Sequence, residues 1–230
     1  ALNQGQLYLQ PKLRLSPDPL ELHIAPGTIL NRARLTPEMC NDVIKYAIPA
    51  LAGITEGRGE LSMQLQDCRM PLGNLSKASI RGAVKIHSAV IQGNPLIQQR
   101  STLLAKRPAQ VALKSESQVS FRMRDGWVEH RGVQIVFPRL TVTTYGAVHV
   151  SGRLSMIAEF PVPEKWLGNG RLAKLLSQKK IRVPISGTVD RPRLDQNVLK
   201  RESAAVLREA TQNLIRDTLD SKLRKRFERK

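Results

Sequence analysis

A short pattern recurs along the chain: a glycine followed by apolar residues at alternating positions. It occurs twice in succession in GAVHVSGRLSMI (146–157), and again after Gly5, Gly59, Gly82 and, in shortened form, Gly187. Glycine permits a turn or a bulge, and alternation with a period of two buries one face of a β-strand. The spacing between copies is irregular, which argues against a strict solenoid repeat. The pattern therefore predicts many strands, each beginning near a glycine and each with one apolar face.

Other segments alternate in the same way, for example QVSFRM (118–123) and IRVPI (181–185). The positions between their apolar residues hold Arg, Lys, Gln, Ser, Thr and His, which is typical of an antiparallel sheet with one solvated face. Helical patterns interrupt the strands at about 36–48, 95–105 and 171–178. The first of these helices has Thr36 as its N-cap and Pro37 at its first position. We predict a β-rich α+β fold, with a curved antiparallel sheet and helices at one face or at its ends.

A long basic amphipathic helix is predicted at the C-terminus, from about 196 to 227, and its end reads KLRKRFERK. The chain then divides into three regions: 1–107, a strand–helix–strand half; 108–195, an antiparallel strand region; and 196–230, the basic helix. The boundary near 105–114 is open, because one continuous sheet could run through it.

The charge balance limits the possible partners. The chain has 37 Lys and Arg residues against 19 Asp and Glu residues, a net charge of +18. Such an excess favours polyanions: nucleic acid, an anionic membrane surface or lipopolysaccharide-like lipids. Aromatic residues make up 4% of the chain, which argues against platforms for base stacking. No sequence stretch approaches the roughly 20 apolar residues of a transmembrane helix.

Residues for catalysis or metal binding are sparse. His23, His87, His130 and His149 lack metal-ligand partners at suitable spacing, and each is expected to be a solvated strand residue. The chain has no GxSxG, HExxH or P-loop motif. Cys40 and Cys68 could pair in an oxidising compartment, although Cys40 lies on a predicted helix and resembles a small buried residue. We predict a protein that is not an enzyme and that uses no cofactor or metal.

Besides catalysis and nucleic-acid binding, a third possible class of function is contact with lipid. The apolar face of the sheet is either filled by its own helices, as in an ordinary α+β domain, or left as a trough. Acyl chains fill such a trough well, because each buried methylene contributes about 0.8 kcal/mol. Basic residues near the trough would hold anionic headgroups. The predicted lining residues are Val148, Val150, Leu154, Met156, Ala158 and Phe160. The predicted headgroup-binding residues are Lys222, Arg224, Lys225 and Arg226.

Two long segments carry a family resemblance: GVQIVFPRLTVTTYGAVHVSGRLSMIAEFPVP (132–163) and KKIRVPISGTVDRPRLD (179–195). They resemble the C-terminal region of AsmA-like proteins of the bacterial cell envelope, whose closing strand has GT and a later proline, here Gly187, Thr188 and Pro192. The segment 36–65 is similar to parts of large envelope proteins from Planctomycetes-like bacteria. The basic tail after residue 195 departs from the family pattern.

The resemblance implies a β-sheet groove that projects into the periplasm and takes part in phospholipid movement and outer-membrane biogenesis. It also implies an inner-membrane anchor, which we expect on a missing segment before Ala1, and possible contacts with other envelope proteins. Our prediction is a periplasmic protein that handles phospholipid along an apolar β-groove. The alternatives are a basic nucleic-acid-binding module and a structural envelope spacer with no ligand.

Overall fold

A single antiparallel sheet dominates the structure, a computed structural model that describes residues 5–15, 20–92, 110–137, 140–162, 179–206, 208 and 211–212. Within these ranges thirteen strands join the sheet, and every pairing is antiparallel. The predicted β-rich α+β fold is therefore confirmed. The strands are β1 (Gln6–Leu7), β2 (Pro11–Arg14), β3 (Glu21–Ile24), β4 (Gly27–Arg34), β5 (Glu56–Pro71), β6 (Ser79–Gln92), β7 (Gln110–Leu113), β8 (Ser117–Arg124), β9 (Trp127–Phe137), β10 (Leu140–His149), β11 (Leu154–Pro161), β12 (Lys180–Gly187) and β13 (Pro192–Leu194).

The strands follow one another across the sheet almost in chain order. The main path runs β1-β4-β5-β6-β7-β9-β10-β11-β12-β13. Short strands share a long neighbour: β3 and β4 both pair with β5, and β7 and β8 both pair with β6 and β9. The sheet is continuous across the possible boundary near 105–114, because β6 pairs directly with β7 and β8.

The two faces of the sheet differ as the alternation predicts. In β12, Ile181, Val183 and Ile185 are buried, while Arg182 and Pro184 between them are exposed. We call the face that carries the buried side chains the inner face and the opposite one the outer face. Pairs of residues directly opposite each other on antiparallel neighbours share a face, so the inner face can be followed from strand to strand.

A helical segment, residues 37–51, packs against the inner face. It consists of the α-helical turns Pro37–Met39 and Lys45–Ala47, the π-helical turn Cys40–Ile44 and the 3₁₀ turn Pro49–Leu51. Its side chains are among the most deeply buried in the protein: Cys40, Ile44, Ile48, Ala50 and Leu51. We call residues 37–51 the inner helical segment. It contacts β8, β9 and β10.

The start of this segment confirms the predicted N-cap, since the Thr36 hydroxyl accepts a hydrogen bond from the Met39 N–H at 3.3 Å. Its register differs from the prediction. An α-helix would place Val43 on the apolar stripe, but Val43 is 61% exposed. The π-helical turn holds an extra residue, which rotates the following side chains relative to a regular α-helix.

A second helix follows β13 and begins at residue 196, as predicted. The Asp195 carboxylate caps it by accepting the N–H groups of Asn197 and Val198, each at 3.0 Å. The buried apolar side chains of the described residues form two clusters, and we call the larger one the main core cluster. Leu199 and Val206 belong to it. The rest of this predicted helix beyond residue 212, and the helices predicted at 95–105 and 171–178, lie outside the described residues.

Gly5 and Gly152 come just before β1 and β11 as predicted, but three other recurrent glycines have a different role. Gly59, Gly82 and Gly146 lie inside β5, β6 and β10, not at the starts of these strands. Gly146 has a φ of +133°, and a Cβ atom there would overlap the backbone of Ser155 on β11. The position requires glycine because neighbouring backbone occupies the space of a side chain.

Candidate functional site

The six predicted groove residues lie on the inner face, and five of them are fully covered. Val148, Leu154, Met156 and Ala158 belong to a small apolar cluster with Ile185 and Val189. Phe160, 1% exposed, belongs to the main core cluster, and Val150 is partly buried against it. The alternation therefore identified the correct face, but in this structure protein side chains contact these residues.

The inner helical segment and the residue after it contribute to this cover. Ala52 is part of the same small cluster, and Tyr46 packs against it. The Tyr46 hydroxyl donates a hydrogen bond to the Val150 carbonyl at 3.4 Å, which links the cover to the end of β10. An acyl chain would reach these inner-face residues only if this cover moved. The predicted headgroup-binding residues Lys222, Arg224, Lys225 and Arg226 lie outside the described residues.

Exposed apolar side chains gather at the opposite edge of the sheet. Most of the large apolar residues that are exposed within the described ranges lie in or beside β1–β3 or in the turn after β5. They are Leu7, Tyr8, Leu9, Leu13, Leu15, Leu20, Leu72 and Leu75. Such a concentration of exposed apolar surface at one place marks an interaction site more often than single exposed residues do.

Five leucines at this edge share one face. Leu13 lies opposite Leu22, and Leu22 lies opposite Met70. The Leu72 N–H donates to the Leu20 carbonyl at 2.8 Å, which extends the same pairing by one position. Leu15 follows Leu13 with the same alternation. We call the side chains of Leu13, Leu15, Leu20, Leu22 and Leu72 the leucine face.

The leucine face is an open extension of the inner face. Met70 and Ile24, which border it, pack against the main core cluster. Leu13 is 53% exposed and Leu72 is 50% exposed, so the same apolar surface passes from buried to open toward the edge. This is the arrangement that the sequence analysis predicted for β10 and β11, located instead at β2 and β3.

The edge strand itself is poorly suited to adding a further strand. β2 contains Pro11, which lacks an N–H donor, and the exposed cations Lys12 and Arg14. Proline and charged side chains on edge strands oppose edge-to-edge pairing. The exposed leucines therefore offer a side-chain surface for contact, whereas the strand edge does not offer a template for β-pairing.

Basic residues lie on the outer face of the same strands. Lys12 is opposite His23, and His23 is opposite Arg69. Two acidic residues here contact neighbouring basic groups: Glu21 contacts His23 at 2.9 Å and Asp67 contacts Arg69 at 3.4 Å. This end of the sheet thus combines an apolar inner face with basic groups on its outer face.

A buried histidine interrupts the apolar inner face. His130 and Thr144 are the buried polar residues of the described chain, and His130 is 1% exposed. The expectation of a solvated histidine is wrong at this position, because His130 lies opposite Phe121 on β8 and Gly146 on β10, inside the core. Its Nε2 is 3.5 Å from the Thr144 hydroxyl and its Nδ1 has no hydrogen-bond partner. Burial lowers the pKa of His130 to about 4.

Groups that suit catalysis or metal binding do not gather around this histidine. The described residues contain no cluster of three or more His, Cys, Asp or Glu side chains able to hold a metal ion. Cys40 and Cys68 are buried, unpaired thiols. Burial, with a smaller contribution from Glu38, raises the pKa of the Cys40 thiol to about 12, so this thiol is a weak nucleophile.

Two surface depressions lie elsewhere on the sheet. One, about 350 Å³, surrounds Gly59 and is lined by Arg34, Arg58 and Glu60. The other, about 260 Å³, lies over Gly146 and is lined by charged and polar groups that include Glu129, Arg131 and Tyr145. Both are lined in part by charged side chains, so neither suits an acyl chain as well as the leucine face does.

No helix in the described part of the chain combines the length and apolar character needed to cross a bilayer. Comparisons with protein-family models, curated proteins and solved structures found no match to this chain. The resemblance to AsmA-like proteins therefore remains a prediction from the sequence.

Proposed function

We propose that the protein binds phospholipid, without catalysing a reaction on it, by holding acyl chains against the leucine face. The observation that carries this proposal is the open continuation of the core's inner face onto Leu13, Leu20 and Leu72. A location in the bacterial periplasm and a role in outer-membrane biogenesis fit the proposal, but they depend on the AsmA-like resemblance alone.

The energetics favour an acyl chain as the occupant. Each methylene removed from water contributes about 0.8 kcal/mol. On the order of ten methylenes against the leucine face would therefore offset an association cost within the range of roughly 4–15 kcal/mol. The net charge of +18 favours anionic headgroups over neutral ones. A basic residue close to an anionic lipid surface contributes on the order of 1 kcal/mol.

The proposed site differs from the groove predicted on β10 and β11. Val148, Leu154 and Met156 would join it only if the inner helical segment moved away from the sheet. The leucine face requires no such movement, because four of its five side chains are already exposed: Leu13, Leu15, Leu20 and Leu72. The proposed acyl-chain site is therefore at β2 and β3.

The proposal is tested with the double variant Leu13→Glu/Leu15→Glu and a phosphatidylglycerol that carries a fluorescent acyl chain. Both leucines are more than half exposed, so the charges should leave folding intact. We expect at least a tenfold loss of affinity. Val90→Glu is the matched control, because Val90 is an exposed strand residue on the outer face and should leave affinity unchanged.

Unchanged lipid affinity in the double variant would refute the leucine face as the binding site. The same titration with duplex and single-stranded DNA tests the alternative functions. Tighter binding to DNA than to lipid would favour a nucleic-acid-binding module. Binding to neither would favour a structural spacer.

A further inference from the structure

Three turns meet at the end of the sheet where the leucine face opens. A Cβ atom on Gly126, in the turn between β8 and β9, would lie 3.5 Å from the Cβ atom of Ser76, in the turn after β5. The Gly126 carbonyl accepts the N–H of Val150, in the turn between β10 and β11, at 2.8 Å. We call residues 72–78, 124–127 and 149–153 together the turn end.

An aromatic and cationic cluster occupies the middle of the turn end. Trp127 is half-buried and meets the ring of His149 edge to face, with 5.0 Å between ring centroids. The guanidinium carbon of Arg153 lies 5.7 Å from the centroid of the Trp127 ring. Tryptophan prefers the boundary between water and the acyl region of a bilayer, because its ring is apolar and its N–H is polar.

The turn end also carries exposed leucines and further cations. Leu72, which belongs to the leucine face, and Leu75 are 50% and 59% exposed. Lys77 and Arg124, in the same turn end, are also exposed. Arg124 contacts Asp125 at 3.4 Å, but both side chains are more than 70% exposed, so this pair is weak and leaves the guanidinium accessible.

We infer that the turn end docks on the surface of an anionic phospholipid bilayer. Leu72 and Leu75 enter the acyl region, Trp127 lies at headgroup level, and the nearby cations face lipid phosphates. This inference rests on the proposed function, since a protein that binds phospholipid must take it from or deliver it to a membrane. Leu72 belongs to both surfaces, so a lipid leaving the bilayer at the turn end would meet the leucine face directly.

Fluorescence of Trp127 tests the docking. The chain contains one other tryptophan, Trp166, and the variant Trp166→Phe leaves Trp127 as the sole reporter. We expect vesicles of phosphatidylglycerol to shift the Trp127 emission to shorter wavelength, and lipids brominated near the top of the acyl chain to quench it. Vesicles of phosphatidylcholine, which carry no net charge, should bind at least tenfold more weakly, and added salt should reduce binding to phosphatidylglycerol.

The pair Leu72→Asp/Leu75→Asp in the Trp166→Phe background should lower vesicle affinity at least tenfold. Val43→Asp is the control, because Val43 is equally exposed on the inner helical segment and outside the turn end. Vesicle binding with no change in Trp127 emission, or affinity unaffected by the Leu72 and Leu75 changes, would overturn the inference.

Short-chain phosphatidylglycerol, used below its micelle concentration, separates the inference from the proposed function. If this soluble lipid binds and the vesicles leave Trp127 unchanged, the docking inference fails and the proposed function stands. If vesicles shift Trp127 but Leu13→Glu/Leu15→Glu leaves binding of the soluble lipid unchanged, the proposed function fails and the bilayer contact remains. If neither form of lipid binds, both fail.

Discussion

Leu13 on β2 lies directly opposite Leu22 on β3, and Leu22 lies opposite Met70, whose side chain packs against the core. These three residues join the buried interior to an exposed edge. The inner helical segment covers the inner face at β8, β9 and β10, whereas Leu13 at this edge is 53% exposed. The place where the cover ends therefore decides which of the many apolar strand residues are available to a ligand.

A charge introduced on the covered part of the inner face should lower stability far more than a charge introduced on the leucine face. Met156→Glu places an unpaired charge among side chains that exclude water, and we expect a loss of more than about 3 kcal/mol in the free energy of unfolding, or failure to fold. Leu13→Glu should change this free energy by less than about 0.5 kcal/mol, because Leu13 is exposed. Urea unfolding followed by circular dichroism measures both. Equal stability of the two variants would mean that Met156 is accessible to solvent.

Stability should fall in mild acid because of His130. Its pKa is lowered to about 4 in the folded protein by burial, whereas the unfolded chain takes up this proton near the ordinary value of 6.5. The unfolded state therefore binds more protons between these values, and the free energy of unfolding falls as the pH drops from 6.5 to 4. The slope approaches about 1.4 kcal/mol per pH unit and the total is on the order of 3 kcal/mol.

His130→Leu is the control for this pH dependence. It removes the titrating group and the unpaired Nδ1 atom. The difference in the free energy of unfolding between variant and wild type should therefore be constant above pH 6.5 and should grow as the pH falls from 6.5 to 4. The pKa of Glu159 is also lowered, chiefly by a hydrogen bond from Lys180, but its contribution is lost only below the ordinary carboxylate range near 4.5. Parallel pH profiles of the two proteins would contradict the burial of His130.

Gly146 should resist substitution even by alanine. Its φ of +133° is strained for any other residue, and a Cβ atom would overlap the backbone of Ser155. We expect Gly146→Ala to lower the free energy of unfolding by about 2 kcal/mol or more. Gly73→Ala is the matched control, because no atom lies within 4 Å of the new methyl group. Similar melting temperatures for the two variants would show that β10 and β11 pair differently.

The thiol of Cys40 should be inert in the folded protein. Burial and the raised pKa leave almost no thiolate at pH 8. In a Cys68→Ala background, we expect a maleimide reagent to label Cys40 at least a hundredfold more slowly in buffer than in urea. Rapid labelling in buffer would indicate that the inner helical segment opens readily, which would also expose the inner-face residues of β10 and β11.

The sequence predicts the local features of this fold well. Alternation identifies the strands and the inward residues such as Met156 and Ile185, and Thr36 followed by Pro37 marks the start of the inner helical segment. These features depend on neighbouring residues only, so a single sequence is enough to predict them. The π-helical turn that exposes Val43 depends on packing against the sheet, and no local pattern indicates it.

The site could not be located from alternation alone. Leu13 and Leu154 have the same kind of neighbours in sequence, yet Leu13 is exposed and Leu154 is buried. The difference arises because a segment distant in the chain covers one strand and not the other. His130 is polar, so its residue type predicts a solvated side chain, yet it lies in the core on the same face as Val128.

The most direct test of the proposed function is mass spectrometry of the lipids that remain bound to the protein after purification without detergent. Wild-type protein and Val90→Glu should retain phospholipid, anionic species above all, and Leu13→Glu/Leu15→Glu should retain at least tenfold less. Absence of lipid from all three proteins, or equal amounts in all three, would contradict a leucine face that binds acyl chains.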